Sequence, residues 1–124
     1  IVVLAHDSCG AVAAAIDQSG RNPSPVTDSV RNTLAPILPS VQQLWHRDHR
    51  QTPYAESDAI DANAVGRLHL EATVNELLRN SRAISDAVDR GELGIVGCQY
   101  RLTEGRAVPY TAVGPLAIEL APLS

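Results

Sequence analysis

A histidine and a cysteine near the start of the chain have residue types and a spacing that suit a metal site. His6 and Cys9 are three positions apart in the segment His-Asp-Ser-Cys-Gly, which covers residues 6–10. Zinc accepts an imidazole nitrogen and a thiolate sulfur as ligands in tetrahedral geometry. The segment therefore predicts a zinc site with His6 and Cys9 among its ligands.

Two other interpretations of the same segment stay open on these residues alone. A polar turn with a buried thiol and a hydrogen-bonded histidine needs no metal. A cysteine at the start of a helix can also be a nucleophile with a histidine base, although a spacing of three residues on one turn suits that pair poorly. The pattern H-x-x-C by itself therefore leaves a metal site, a structural turn and a nucleophile as alternatives.

The elements on either side of this segment place it where α/β proteins build their sites. Residues 1–5 form a β-branched apolar run that is typical of a buried parallel strand, and the alanine-rich residues 11–16 predict the first turns of a helix. Sites in open α/β sheets form at the carboxyl ends of strands. A helix N-terminus adds free N–H groups and a positive partial charge, which favour anionic ligands.

Three more residues of the segment are predicted to support the site. Asp7 or Ser8 is expected to cap the helix that starts near Cys9, which is the favoured interpretation. Asp7 is alternatively a residue that orients a metal ligand. Gly10 is expected to permit a close approach of the backbone.

The other cysteine and histidines favour structural interpretations. Cys98 lies in a predicted strand, where a small buried thiol is favoured over a further metal ligand. His46 and His49 form an H-x-x-H pattern that we assign to a solvent-facing helix surface, and His69 is expected to be a packed or surface residue of a long helix.

The remaining pattern predicts an α/β fold with a parallel-core sheet, flanking helices and an edge hairpin strand. Apolar spacing and capping residues predict helices over 29–38, 41–49, 57–79 and 82–89. Residues 93–100 predict a second strand, and residues 107–110 return beside it after a turn. We interpret residues 1–124 as a single domain.

Composition narrows the possible partners. The 124 residues carry a net charge of −4, and 44% are hydrophobic. The balance is acidic, and the one basic cluster, over residues 46–50, is short and interrupted by an aspartate, which argues against nucleic acid as a partner. No apolar run reaches the roughly 18–20 residues of a membrane span. Two cysteines are too few for a disulfide framework, which favours reduced thiols and a cytoplasmic location.

Three blocks of the sequence, in order, resemble the β-class carbonic anhydrases, with the actinobacterial members the most similar in character. They are residues 2–12 with the H-x-x-C-G segment, residues 68–88, which resemble the family's long helix and the next one, and residues 91–108, which resemble its closing strands. The resemblance implies Zn2+ as cofactor, CO2 and bicarbonate as substrate and product, and a homodimer or higher homo-oligomer. It also implies that His6 and Cys9 are two of the three protein ligands of zinc.

One part of the family's pattern does not occur in this sequence. The first zinc ligand of the family is a cysteine in a C-x-D-x-R motif, and no such motif is present. We expect it upstream of Ile1, in which case the domain shown is incomplete at its N-terminus. A catalytic zinc needs three protein ligands and an open position for water, so we expect these residues alone to be inactive and assign no catalytic residue among them. The alternative is a non-catalytic, carbonic-anhydrase-like fragment that acts as a binding or structural module.

Overall fold

Three strands form a mixed sheet in the computed structural model of the chain, which describes residues 1–122. Strand β1 (Val2–His6) pairs in parallel with β2 (Ile95–Arg101), and β2 pairs antiparallel with β3 (Arg106–Val113). The strand order is β1-β2-β3, which makes β2 the central strand. The predicted α/β fold, with a parallel pair and an edge hairpin strand, is confirmed.

The helices of the described residues all lie between β1 and β2 in the chain. In order they are α1 (Gly10–Gln18), α2 (Asp28–Leu34), α3 (Leu38–Asp48), a 3₁₀-helix (Ser57–Ala59), α4 (Ala62–Asn80) and α5 (Arg82–Asp89). Within residues 1–122, none of them combines the length and the apolar character that a membrane crossing requires.

Capping residues explain where α5 begins and ends. The Ser81 hydroxyl accepts a hydrogen bond from the Ile84 amide at 3.3 Å, as an N-cap does. Gly91, two residues after the helix, has a φ of +73°, a conformation that glycine adopts without the usual steric cost. The predicted range of residues 82–89 is confirmed.

Proline explains why α2 is shorter than the predicted helix over residues 29–38. The Thr27 hydroxyl caps its start by accepting from the Val30 amide at 3.2 Å. Pro36 lacks an N–H group and cannot continue the helical hydrogen bonds, so the helix ends at Leu34 with Ala35 as its C-cap. Pro39 instead falls in the first turn of α3, where proline is tolerated.

The long helix α4 begins later than residue 57, the predicted start. Ile60 is extended, with φ −122° and ψ 133°, and it separates the 3₁₀-helix from α4. The Asp61 carboxylate then accepts from the Asn63 amide at 2.9 Å, which satisfies a free N–H group of the first turn. Apolar residues recur at helical spacing on both sides of Ile60, so the sequence pattern did not reveal that the helix is interrupted there.

The described residues divide into two compact units, each with its own core. Unit 1 comprises residues 1–7 and the chain from Arg67 onward, and unit 2 comprises residues 8–66. Leu70, Val108 and Tyr110 form the core of unit 1. The core of unit 2 consists of Val12, Ala15, Ile16, Leu34, Ile37, Val41, Trp45, Ala55 and Val65. The single domain over residues 1–124 stays a prediction, and its last two residues lie outside the described part of the chain.

The side chains of β1 alternate between packed and exposed positions. Val3 and Ala5 pack against the core of unit 1. Val2 and Leu4 point the other way and are 64% and 57% exposed. His6 continues the exposed row at the carboxyl end of the strand, so the alternation decides that the imidazole is accessible.

Candidate metal centre

His6 is the last residue of β1, and one of its ring nitrogens has a defined partner. Nδ1 of His6 lies 2.9 Å from the carbonyl oxygen of Asp7. A carbonyl oxygen only accepts hydrogen bonds, so Nδ1 carries the proton in this contact. Nε2 of a neutral imidazole then has a free lone pair, which is the form that binds a metal ion.

Asp7 does not cap α1, and the capping interpretation is wrong for this residue. Its carboxylate Oδ1 accepts a hydrogen bond from the Leu102 amide at 3.1 Å, and its own amide donates to the Tyr100 carbonyl at 3.0 Å. Both partners belong to β2 or to the residue that follows it. Asp7 therefore ties the end of β1 to the end of its neighbouring strand.

Ser8 does not cap α1 either, because the N-cap position belongs to Cys9 and has no side-chain hydrogen bond. The backbone of Ser8 is unusual, with a φ of +50°. This left-handed conformation costs a residue with a side chain about 1–2 kcal/mol. Ser8 is therefore the point at which the chain turns from β1 toward α1.

Cys9 occupies the N-cap position of α1 with an extended backbone, φ −76° and ψ 120°. Its carbonyl accepts the first bond of the helix, from the Ala13 amide at 3.1 Å. The thiol is free and half-buried. A thiol sulfur at Cys9 and an imidazole nitrogen at His6 are both donors that suit zinc.

Gly10 is the first residue of α1, and the predicted close approach of the backbone is not found there. A Cβ atom added at Gly10 would meet no heavy atom within 4 Å among the described residues. The close approaches in the chain occur at other glycines, in particular Gly97 in the central strand.

Within residues 1–122, no group of three or more histidine, cysteine, aspartate or glutamate side chains is placed to share a metal ion. Cys98, the alternative ligand, is 7% exposed in the middle of β2. Burial raises the pKa of the Cys98 thiol, which disfavours the thiolate that metal binding needs. The favoured interpretation of Cys98 as a buried core thiol is confirmed.

The histidine pair at the C-terminal end of α3, His46 in its last turn and His49 at its C-cap, divides into one exposed and one packed residue. His46 is exposed, as predicted for a solvent-facing surface. His49 instead stacks on the indole of Trp45, with ring centroids 3.7 Å apart and planes 8° from parallel. His69 on α4 is half-buried, and burial lowers its pKa.

Sequence reasoning missed the interactions that fix the turn between β2 and β3. The Arg101 guanidinium donates to the Tyr110 hydroxyl at 3.1 Å and to the Glu104 carboxylate at 3.2 Å. Tyr110 is nine positions from Arg101, and the Asp7 carboxylate is 95 positions from Leu102, to which it bonds. No local pattern signals contacts of that range.

Comparisons with known proteins identify relatives over most of the chain. The family model described as Carbonic anhydrase matches residues 1–107. The chain is 37% identical over 120 residues to carbonic anhydrase 2 of Mycobacterium tuberculosis, which covers 97% of this chain and 53% of that protein. It is 33% identical over 106 residues to a carbonic anhydrase of Mycolicibacterium smegmatis, covering 86% of this chain and 46% of the relative. The chain thus spans about half the length of these relatives.

Solved structures with the same fold are also β-carbonic anhydrases. One is from a study of two tetrameric enzymes of the ascomycete Sordaria macrospora, with a TM-score of 0.64, 22% identity, and coverage of 88% of this chain and 50% of that one. Another is the β-carbonic anhydrase CcaA, with a TM-score of 0.65, 19% identity, and coverage of 94% and 51%. Identities this low establish a shared fold, whereas the family match rests on sequence. On the evidence of the family model and the mycobacterial relatives, the chain belongs to the β-carbonic anhydrase family.

Proposed function

We propose that this chain carries part of the zinc centre of an enzyme that interconverts CO2 and bicarbonate. His6 and Cys9 supply two protein ligands of the metal. The observation that carries the proposal is the H-x-x-C-G segment, which runs from the carboxyl end of β1 into the first turn of α1 in a chain of this family.

The two side chains have complementary tasks in this proposal. His6 offers Nε2, because the hydrogen bond to the Asp7 carbonyl occupies Nδ1. Cys9 offers a sulfur atom that, bound to zinc as a thiolate, would offset part of the charge of the cation. Zinc with three protein ligands lowers the pKa of a water molecule in its fourth position to about 7 and so supplies the nucleophile that attacks CO2.

Two ligands do not complete such a centre, so a further protein ligand has to come from outside the described residues. We therefore propose that these 124 residues on their own hydrate CO2 very slowly, and that activity belongs to the polypeptide or assembly that contains the third ligand. Two findings support the proposal that a longer polypeptide is the active enzyme: the chain belongs to this family, and its relatives are about twice as long.

Zinc content and CO2 hydration test the proposal together. Elemental analysis and the intact mass are measured on the polypeptide as isolated, and stopped-flow hydration assays follow on the same sample. Where the intact mass includes a third candidate ligand, we expect about one zinc per chain, which Cys9→Ser or His6→Ala removes together with the activity. Cys98→Ala is the matched cysteine control and should retain both.

The alternative, a non-catalytic binding or structural module, predicts neither stoichiometric zinc nor CO2 hydration. A preparation whose mass includes a third candidate ligand, yet which binds no stoichiometric zinc and does not hydrate CO2, would establish that alternative. Loss of zinc in the Cys98→Ala control, with Cys9→Ser unaffected, would also overturn the assignment, since it would place the metal at the other cysteine.

We also propose that the chain assembles as a homodimer or a higher homo-oligomer. The exposed valine and leucine of β1 and the half-exposed Leu116, Ile118 and Leu120 near the end of the described residues support subunit contacts. Light scattering coupled to size-exclusion chromatography measures the assembly directly, and a monomer at micromolar concentration would refute it. Both cysteines are free, which supports a reducing compartment, and we propose a cytoplasmic location.

A further inference from the structure

Asp7 departs from the regular hydrogen-bond ladder between β1 and β2. In a parallel pair, every second residue donates its N–H to one residue of the neighbouring strand and accepts at its carbonyl from the residue two positions further on. Ile1 follows this rule with main-chain atoms: its nitrogen donates to the Gly94 carbonyl at 2.9 Å, and its carbonyl accepts from the Val96 amide at 3.0 Å.

Asp7 lies in the same row of the ladder, and only the first of its two bonds is regular. Its amide donates to the Tyr100 carbonyl at 3.0 Å. The Leu102 amide, which a regular ladder would direct to the Asp7 carbonyl, donates instead to the carboxylate Oδ1 at 3.1 Å. The Asp7 carbonyl lies 2.9 Å from Nδ1 of His6. The carboxylate therefore replaces the carbonyl in the ladder and leaves that carbonyl to the histidine.

We propose that Asp7 is a positioning residue, whose carboxylate releases its own carbonyl to hold His6 in the tautomer with Nε2 unprotonated. Its relevance to zinc rests on the function proposed above, but the tautomer itself is a property of the metal-free chain. Histidines that bind metals commonly donate their other ring N–H to a carbonyl or a carboxylate, which fixes the ring and its proton. Here the carbonyl that serves this purpose is available because a side chain has taken over its ladder bond.

Removal of the carboxylate has a specific consequence. In Asp7→Ala the Leu102 amide loses its side-chain acceptor, and the nearest replacement is the regular one, the carbonyl of residue 7. A carbonyl has two lone pairs, but this one has to turn toward β2 to accept the ladder bond, and the turn weakens its bond from Nδ1 of His6. In Asp7→Asn the side-chain oxygen remains an acceptor for Leu102, so the conservative variant should preserve the tautomer.

Nitrogen-15 NMR of the histidine ring tests this without metal or activity. Long-range proton–nitrogen correlations of neutral His6 identify which ring nitrogen is protonated. We expect Nδ1–H in the wild type and in Asp7→Asn, and a shift toward Nε2–H in Asp7→Ala. Asp58→Ala, which removes an exposed carboxylate elsewhere, is the matched control and should resemble the wild type. A wild type already in the Nε2–H form, or an Asp7→Ala variant with unchanged tautomer, overturns the inference.

Zinc affinity links the tautomer to the metal and separates the two proposals. Competition with a chromophoric chelator on the polypeptide as isolated should show a Kd about 10–100-fold weaker for Asp7→Ala, with Asp7→Asn near the wild type. Equal zinc affinity of Asp7→Ala and wild type would refute the positioning role while leaving the zinc function intact. A wild type with the Nδ1–H tautomer and no zinc binding would refute the zinc function and leave the role of Asp7 in fixing the ring.

Discussion

Gly97 in the central strand offers a quantitative test of how the sheet of unit 1 is packed. A Cβ atom added there would lie 2.6 Å from Cγ2 of Thr111 on β3, and 3.2 Å and 3.3 Å from two side-chain carbons of Leu70 on α4. The first distance is shorter than any ordinary carbon–carbon contact, which is about 3.5–4.0 Å at its optimum. Gly97→Ala therefore forces the Thr111 side chain, or β3 with it, to shift, and the Leu70 side chain to give way slightly.

The expected cost follows from two opposing effects. Overpacking a core costs about 1–3 kcal/mol, whereas replacing glycine with alanine inside a strand recovers about 0.5–1 kcal/mol of backbone entropy. With the middle of each range, the net loss in the free energy of unfolding should be about 1 kcal/mol. Thr111→Ser deletes the closest methyl group at a cost of about 1 kcal/mol by itself, and it should relieve part of the clash in the double variant.

Urea denaturation followed by circular dichroism measures the free energy of unfolding of the wild type, the two single variants and the double variant, which together form a double-mutant cycle. We expect the double variant to be more stable than the sum of the two single changes predicts, by about 0.5–1 kcal/mol, because the two sites are in contact. Leu70 remains close, so relief should be partial. Gly10→Ala, where an added Cβ meets open space, is the matched glycine control, and it should be as stable as the wild type or up to about 1 kcal/mol more stable, because it recovers backbone entropy without a clash. A Gly97→Ala variant as stable as the wild type, or strict additivity with Thr111→Ser, would refute the packing argument.

Three further predictions concern pH, thiol reactivity and a helix cap. Burial lowers the pKa of His69 from its usual value of 6.5, so the stability that depends on its neutral form is complete above that value and is lost as the pH falls through the lowered pKa. The drop in unfolding free energy between about pH 7.5 and about pH 5.5 should thus be smaller in His69→Gln, and an identical drop in both proteins would contradict the sign. A chromogenic disulfide reagent should react faster with the half-buried thiol of Cys9 than with the thiol of Cys98, whose pKa burial raises. If the fast phase of the reaction is lost in Cys98→Ala and kept in Cys9→Ser, Cys98 is the more reactive thiol and the prediction is wrong. Thr27→Ala should destabilise by about 1 kcal/mol because it removes the N-cap of α2, whereas Thr27→Ser should be close to neutral, and equal losses in the two variants would mean that the hydroxyl does not cap.

The sequence predicted best those elements whose ends are set by nearby residues. The helix α5 was predicted at its observed bounds because Ser81 and Gly91 terminate it locally. Strand β1 and the hairpin of β2 and β3 followed from β-branched runs and a glycine-containing turn. Apolar spacing was a weaker guide where it continued through a break, which is why α4 begins after Ile60 and not at residue 57.

For the candidate site, the sequence predicts two metal ligands, but it did not predict the hydrogen bonds of the residues around them. The assignment of His6 and Cys9 as metal ligands stays a prediction, since the described residues contain no group of three possible ligands. The supporting roles given to Asp7, Ser8 and Gly10 came from rules about adjacent residues. At Asp7 those rules failed, because its carboxylate bonds to a residue 95 positions away.

The role of Asp7 depends on the register of the sheet, which a local pattern does not contain. An aspartate three residues before an alanine-rich helix is close enough in sequence to be predicted as its cap, but a carboxylate bonds to whichever donor the fold brings within reach. The register pairs His6 with Tyr100, and this pairing places the Leu102 amide within hydrogen-bond distance of the Asp7 carboxylate. Because side chains alternate along a strand, a slip of one residue would also exchange the packed Val3 with its exposed neighbours. The register that pairs β1 with β2 therefore also fixes the anchor of Asp7 and, through its carbonyl, the proton on His6.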